Sequence, residues 1–274
     1  MTACERELLR VERTWRCAQG HSFDVARSGY VNLLRPNDRR SAEPGDSRAA
    51  VEARFRLENL GVGAAQAEAL TRFVAEHRPS GSAPVLDVGA GTGMQLERLR
   101  EALAGEACAV DLSTRACDLG ARKRPALRWI VANADRVLPF FDASFGLILS
   151  SVGPKHPSEM RRLLADDGRL VLVVSGADDL VELRTAVRST GALQDRVPAT
   201  LQRFDPWFTC AAHETVRTRM RLGPSELLDL LASTYRGARA SERGRALALG
   251  AMDVTFSAEL LLLAPRAVAP SPRV

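Results

Sequence analysis

The run Val85-Leu86-Asp87-Val88-Gly89-Ala90-Gly91-Thr92-Gly93 constrains this chain more than any other stretch of its 274 residues. Pro84–Val88 has the length and apolar character of a buried strand, and a helical pattern begins at Met94. The alternate glycines between them let the backbone turn tightly, and they let a ligand come close with no Cβ in the way. A strand that turns straight into a helix is the first half of a βαβ unit. The pattern then repeats in kind: strands are expected at 107–112, 128–131, 145–150 and 169–175, with helices at 94–103, 115–123 and 159–164. Strands alternating with helices predict a parallel, doubly wound α/β sheet. Helices are also expected at 48–60 and 64–75 upstream, and at 180–190 and 225–233 downstream. A last pair of strands is expected at 215–221 and 252–263, and no internal repeat is visible.

Acids mark the ends of these strands. Asp87 precedes the first glycine by two residues, and Asp111 closes the second strand 24 positions later. An acid in the second position can accept hydrogen bonds from two ribose hydroxyls. The third strand ends in Ala132-Asn133-Ala134. A glycine loop alone would also suit a dinucleotide site or a sheet without cofactor, although dinucleotide sites favour a longer G-x-G-x-x-G spacing. The ordered set resembles the class I S-adenosylmethionine-dependent methyltransferases. That resemblance implies a Rossmann-like fold with S-adenosyl-L-methionine as cofactor. It places Asp87, Gly89, Gly91, Thr92, Gly93, Asp111, Leu112, Asn133 and Ala134 around it.

The first 47 residues have a different, turn-rich and arginine-rich character, and are expected to form a small lobe ahead of a methyltransferase domain at 48–274. Cys4, Cys17 and His21 stand as C-x12-C-x3-H. These are zinc-ligand types, but a structural zinc site needs four, so spacing alone also admits ordinary lobe residues. Cys17-Ala18-Gln19-Gly20-His21-Ser22-Phe23-Asp24, continuing to Gly29-Tyr30-Val31-Asn32-Leu33-Leu34, resembles the signature of the 23S rRNA guanine-N1 methyltransferases. That family includes housekeeping and macrolide-resistance enzymes with an N-terminal zinc ribbon. Pro44-Gly45-Asp46-Ser47, Ser151-Val152-Gly153-Pro154-Lys155 and Gly176–Leu183 are similar to further family motifs. The chain departs from the family at four places. Met1 takes the place of the first ribbon cysteine, which leaves zinc doubtful. Gly61-Val62-Gly63 replaces Gly-His-Tyr. Asp179, counted with the cofactor set, replaces a histidine. Ala232-Ser233-Thr234-Tyr235-Arg236 replaces a Met-Thr-Pro segment with its aromatic.

Composition sets outer limits. Hydrophobic residues make up 46% and charged residues 26%, which is ordinary for a globular chain. The longest apolar runs, Leu170–Val174 and Leu260–Ala264, are strand-sized, so no membrane span is expected. Met1–Arg10 has no apolar signal-peptide core, and five irregularly spaced cysteines make no disulfide framework; a reduced, cytoplasmic protein is expected. The net charge of +5 permits nucleic-acid binding without demanding it. Only Lys123 and Lys155 are lysines among 38 basic residues, and Arg27, Arg35, Arg39 and Arg40 could hold phosphates.

Three readings follow. The first is methylation of guanine N1 in 23S rRNA. The second is a natural-product methyltransferase repurposed for a small heteroaromatic such as an indole, with Trp207, Phe208 and Tyr235 lining its pocket. The third is a non-catalytic rRNA-binding relative, which the intact glycine loop speaks against. Guanine N1 carries a proton, so a base or polarising donor helps. His156 and Asp24 are the candidates carried forward, with Asp46 and Lys155 beside them. A homodimer is compatible with all three readings.

Overall fold

A computed structural model describes residues 6–34, 44–77, 84–103, 105–153, 156–188, 192–234 and 240–266. Its centre is an eight-stranded sheet in the order β10-β11-β9-β8-β5-β6-β7-β4. Strands β5 (Val85–Val88), β6 (Ala107–Asp111), β7 (Arg128–Val131), β8 (Phe145–Ser151) and β9 (Leu164–Ser175) run parallel. The order reverses direction at β5, from which the chain moves first to β6 and β7, then back across to β8 and β9. In open α/β sheets such a switch point is where ligands bind, beyond the strands' carboxyl ends. β11 (Met252–Pro265) enters antiparallel to β9, pairing Ala258 with Ser175 and Leu263 with Leu170. It pairs antiparallel along its length with β10 (Phe208–Leu222) at the edge, residues 223–251 lying between the two in sequence.

The period of two along each strand divides the core. Val85, Ala107, Ala109, Leu147 and Leu149 face helices α2 (Ala64–His77), α3 (Met94–Leu103) and α4 (Thr114–Lys123). Leu86, Val88, Cys108, Val110 and Ile148 face α5 (Pro157–Leu163) and α7 (Val197–Phe204) on the other side. A third cluster joins Leu57 of α1 (Arg48–Asn59) to α6 (Val181–Arg188), α8 (Pro224–Thr234) and α9 (Ala240–Leu247).

Three points differ from the sequence expectation. Helices α7 and α9 are additions to it; α7 carries Pro198 in its first turn, and Asp195 Oδ1 accepts the Val197 N–H at 2.9 Å. α6 begins only at Val181, because Leu180 takes a left-handed φ of 54°. The third concerns the lobe. Its strands β1 (Leu9–Val11), β2 (Thr14–Arg16) and β3 (Ser22–Asp24) form a separate antiparallel sheet. β4 (Tyr30–Asn32), however, joins the main sheet, with Tyr30 parallel to Trp129. The lobe expected at residues 1–47 is thus tied to the main sheet through β4.

Candidate cofactor and acceptor site

The loop after β5 sits at the switch point. Gly89, Gly91 and Gly93 all have left-handed φ, at 83°, 57° and 80°. Gly93 is fixed for a second reason: a Cβ there would stand 2.6 Å from the Trp129 ring. Beside the loop, Asp111 ends β6 half-buried. Its Oδ2 accepts the Gly91 N–H at 2.9 Å and its Oδ1 accepts the Ser113 N–H at 2.7 Å. Each carboxylate oxygen keeps a lone pair, so the pair of oxygens can still take two ribose hydroxyls. Burial raises the Asp111 pKa, and the two backbone N–H bonds oppose that rise.

Asp87 lies beneath the loop, almost wholly buried, and its Oδ1 has no hydrogen-bond partner among the described residues. Burial, then the neighbouring Asp111, push its pKa up to about 8. An acid left without a donor at the foot of a glycine cradle fits a ligand that brings positive charge. S-adenosylmethionine is such a ligand. The residues present therefore fit the cofactor: main chain at Gly89–Gly93, an acceptor at Asp111, an acid at Asp87. At the third strand, Asn133 Oδ1 accepts the Asp135 N–H at 3.0 Å in a local turn. Ala134 beside it is buried. Leu112 is half-buried beside Asp111.

Thr92 is engaged by the protein itself. It is buried, its hydroxyl donates to Glu58 Oε1, and its carbonyl accepts from Arg124 Nη1 at 2.8 Å. Arg124 also reaches Glu58 at 3.2 Å and Glu97 at 3.0 Å. A nearly dry charge network from α1, α3 and the end of α4 thus holds the loop from below. Sequence reasoning missed Arg54, Glu58 and Arg124. The signal for the first two was their i, i+4 spacing on the face of α1 that also buries Val51 and Leu57.

The 44–47 turn belongs to this site too. Gly45 has φ 84°, and a Cβ there would stand 2.6 Å from the Ser113 nitrogen. The Ser113 hydroxyl donates to the Asp46 carbonyl at 2.8 Å, which locks the turn onto the acid-bearing loop. The Asp46 carboxylate accepts a hydrogen bond from Arg54 Nη2 at 2.9 Å. After β8, Val152 has φ 51°, a strained value for a β-branched residue, and is exposed. Gly153 follows, so close to β5 that a Cβ would meet the Val88 carbonyl at 2.7 Å. This segment therefore borders the glycine loop.

Other expected site residues are engaged in the following ways. His156 caps α5, its Nδ1 accepting the Glu159 N–H at 3.4 Å, which is structural work. Asp24 stands exposed on β3 of the lobe. Asp179 is half-buried two strands away from β5; its Oδ1 accepts the Ser257 N–H at 3.0 Å and it bonds Ser175. It fastens the loop after β9 to β11. Phe208 is buried core against Phe204, and with Trp207 it lies at the end of the sheet opposite the glycine loop. These two aromatics cannot line an acceptor pocket beside the cofactor; Tyr235 lies outside the described residues, as do Lys155, Arg35, Arg39 and Arg40. In the lobe, Cys17 Sγ lies 3.2 Å from His21 Nδ1 across a turn closed by the Gly20 N–H to the Cys17 carbonyl. That is a donor pair suited to zinc, while Cys4 and Met1 lie outside the described residues. No group of three metal-ligand types occurs among the described residues.

Comparison with known proteins agrees with this arrangement. Residues 3–42 match the family model for the zinc ribbon "RlmA, N-terminal", and residues 85–171 match a methyltransferase domain. The 23S rRNA (guanine(748)-N(1))-methyltransferase of Streptomyces fradiae is 34% identical over 222 residues, spanning 80% of this chain and 78% of that one. The chain belongs to the 23S rRNA guanine-N1 methyltransferase family. A relative from Micromonospora griseorubida, provisionally named for the same reaction, is 34% identical over 237 residues, with the same coverage of 80% and 78%. Among solved structures, a chain of the Haloferax volcanii complex of the Trm112 activator with a methyltransferase superposes with TM-score 0.52 at 18% identity. It covers 81% of this chain and 99% of that one. This likeness concerns the fold alone. This family member is an S-adenosylmethionine-dependent methyltransferase with a class I Rossmann-like sheet and an N-terminal zinc-ribbon lobe. Among its described residues no helix is long and apolar enough to cross a membrane.

Proposed function

We propose that the protein methylates N1 of a guanine in 23S rRNA, in the cytoplasm where ribosomes are assembled, and that this modification protects ribosomes from macrolides. The observation that carries the reading is correspondence at both ends of the machinery. The lobe's Cys17–His21 turn matches the family ribbon, and the same 34% identity extends over 80% of the chain. Bound S-adenosylmethionine supplies the electrophilic methyl group. The chain's own contribution is alignment and exclusion of water. Asp111 fixes the ribose, Gly89–Gly93 cradle the amino-acid portion, and Val152-Gly153 borders the place where the acceptor base must enter. Of the groups considered for the N1 proton, Asp46 is ion-paired with Arg54, His156 caps a helix, and Asp24 is exposed on the ribbon lobe. The ribbon lobe and the arginines at 27, 35, 39 and 40 would hold the RNA backbone.

A polyanionic substrate makes binding fall with salt as counterions are released. Transfer of labelled methyl to 23S rRNA should therefore fall steeply across a salt series. It should drop further on charge reversal at Arg27, Arg35, Arg39 and Arg40, with cofactor affinity unchanged. Label entering a small heteroaromatic instead, at rates indifferent to salt, would refute the rRNA reading.

A further inference from the structure

Arg54 approaches the glycine loop from α1 and is held in an unusual way. One nitrogen, Nη2, donates both to Asp46 Oδ2 at 2.9 Å and to the Ser233 carbonyl at 3.0 Å. With Nη2 anchored on two sides, the plane of the guanidinium is fixed. The other terminal nitrogen, Nη1, points at the loop: it lies 3.3 Å from where a Cβ of Gly91 would stand. Nη1 has no hydrogen-bond partner among the described residues. Gly91 is the same residue whose N–H is bonded to Asp111.

The surrounding charge makes this donor matter. Asp46, Asp87 and Asp111 gather at the loop, and Arg54 and Asp111 feel each other's charge. Asp46 and Asp111 beside the loop suit the cationic parts of the cofactor and offer nothing to its carboxylate. Arg124, a second cation touching the loop among the described residues, is already engaged by Glu58, Glu97 and the Thr92 carbonyl.

We propose that Arg54 Nη1 receives the α-carboxylate of the cofactor's methionine portion above Gly91. Asp46 and the Ser233 carbonyl act as the positioning groups behind it. The proposal rests on the methyltransferase reading of the loop. It links three separated segments to one ligand atom group: the 44–47 turn, α1 and the end of α8. It also explains why the segment after Ala232 can depart from the family pattern. The Ser233 contact with Arg54 is made by its main-chain carbonyl, which any residue supplies. A lysine could not replace this arrangement fully, because it has no fork to anchor on one side while donating on the other.

The test is a cycle between protein and ligand, read by calorimetry. The ligands are S-adenosylhomocysteine and its decarboxylated analogue, 5′-deoxy-5′-(3-aminopropylthio)adenosine, which keeps the amine. Wild-type protein should prefer the carboxylate-bearing ligand by about tenfold or more, the scale of a charge-assisted hydrogen bond. Arg54→Met should erase that preference, losing affinity for S-adenosylhomocysteine while the analogue binds as before. Arg54→Lys should recover part of it, and Arg54→Gln offers a polar variant should the methionine protein not fold. Equal losses for both ligands would mean a merely structural arginine and would overturn the proposal, as would an unchanged preference. Wild-type protein that bound neither ligand would overturn the cofactor reading itself, a result distinct from failure of the arginine alone.

Discussion

Replacing Asp87 by asparagine should change how stability depends on pH. The carboxyl is buried, its Oδ1 meets no hydrogen-bond donor among the described residues, and its folded pKa is raised from the usual carboxylate value of 3.8 to about 8. Between those values the folded protein keeps the proton while the unfolded chain has lost it. Unfolding then releases a proton, so the wild-type protein loses stability as pH rises through this window. One proton corresponds to a slope of about 1.4 kcal/mol per pH unit, or roughly 3 kcal/mol between pH 5 and pH 7. Asp111 and Asp179 are also raised by burial and add slope of the same sign, so the difference between wild type and variant isolates Asp87. The asparagine amide cannot ionise. The measurement is urea unfolding of ligand-free Asp87→Asn and wild type at half-unit steps from pH 5 to 8. The variant should have the shallower pH dependence, and its relative stability should grow as pH rises. Parallel curves would show that Asp87 is solvated or paired, and would remove the argument that the loop awaits a cationic ligand.

Other outcomes follow from the same contacts. Arg124→Met should destabilise the protein by about 3–5 kcal/mol, because it leaves Glu58 charged in a nearly dry site; thermal unfolding checks this, and a loss below about 1 kcal/mol would contradict the network. Gly153→Ala places a Cβ 2.7 Å from the Val88 carbonyl. The segment must shift, and turnover should fall at least about tenfold while S-adenosylhomocysteine affinity changes little. Equal turnover would detach Val152-Gly153 from the acceptor. Zinc in purified protein should fall below one ion per chain and vanish in Cys17→Ser; one tightly held zinc per chain by elemental analysis would reveal a complete ligand set.

Much of the cofactor half was legible because its signals are local. Gly89, Gly91 and Gly93 announce a turn that only glycine makes easily, and Asp111 ends a strand whose period is plain. What escaped depends on contacts distant in sequence. The three-residue strands β1–β4 are too short to show a period, and β4 acquires its role only by pairing with β7. Thr92 reads as a ligand contact in the loop, yet Glu58, 34 positions earlier, turns it inward. His156 follows β8 where an acceptor contact would lie, but Pro157 starts a helix that claims its ring as a cap. Asp195 before Val197-Pro198 is a readable start signal for α7, but a weak one, because the surrounding stretch lacks a long apolar period.

The central claim is tested most directly on the RNA itself. A methyl group at guanine N1 occupies the Watson–Crick edge and blocks reverse transcription. Unmodified 23S rRNA, incubated with this protein and S-adenosylmethionine, should therefore give one new strong stop, adjacent to a guanine and absent without cofactor. The Asp111→Ala protein should not produce it. Full-length transcripts with no new stop, while the same preparation turns over cofactor on a ribosome-free heteroaromatic, would contradict the account.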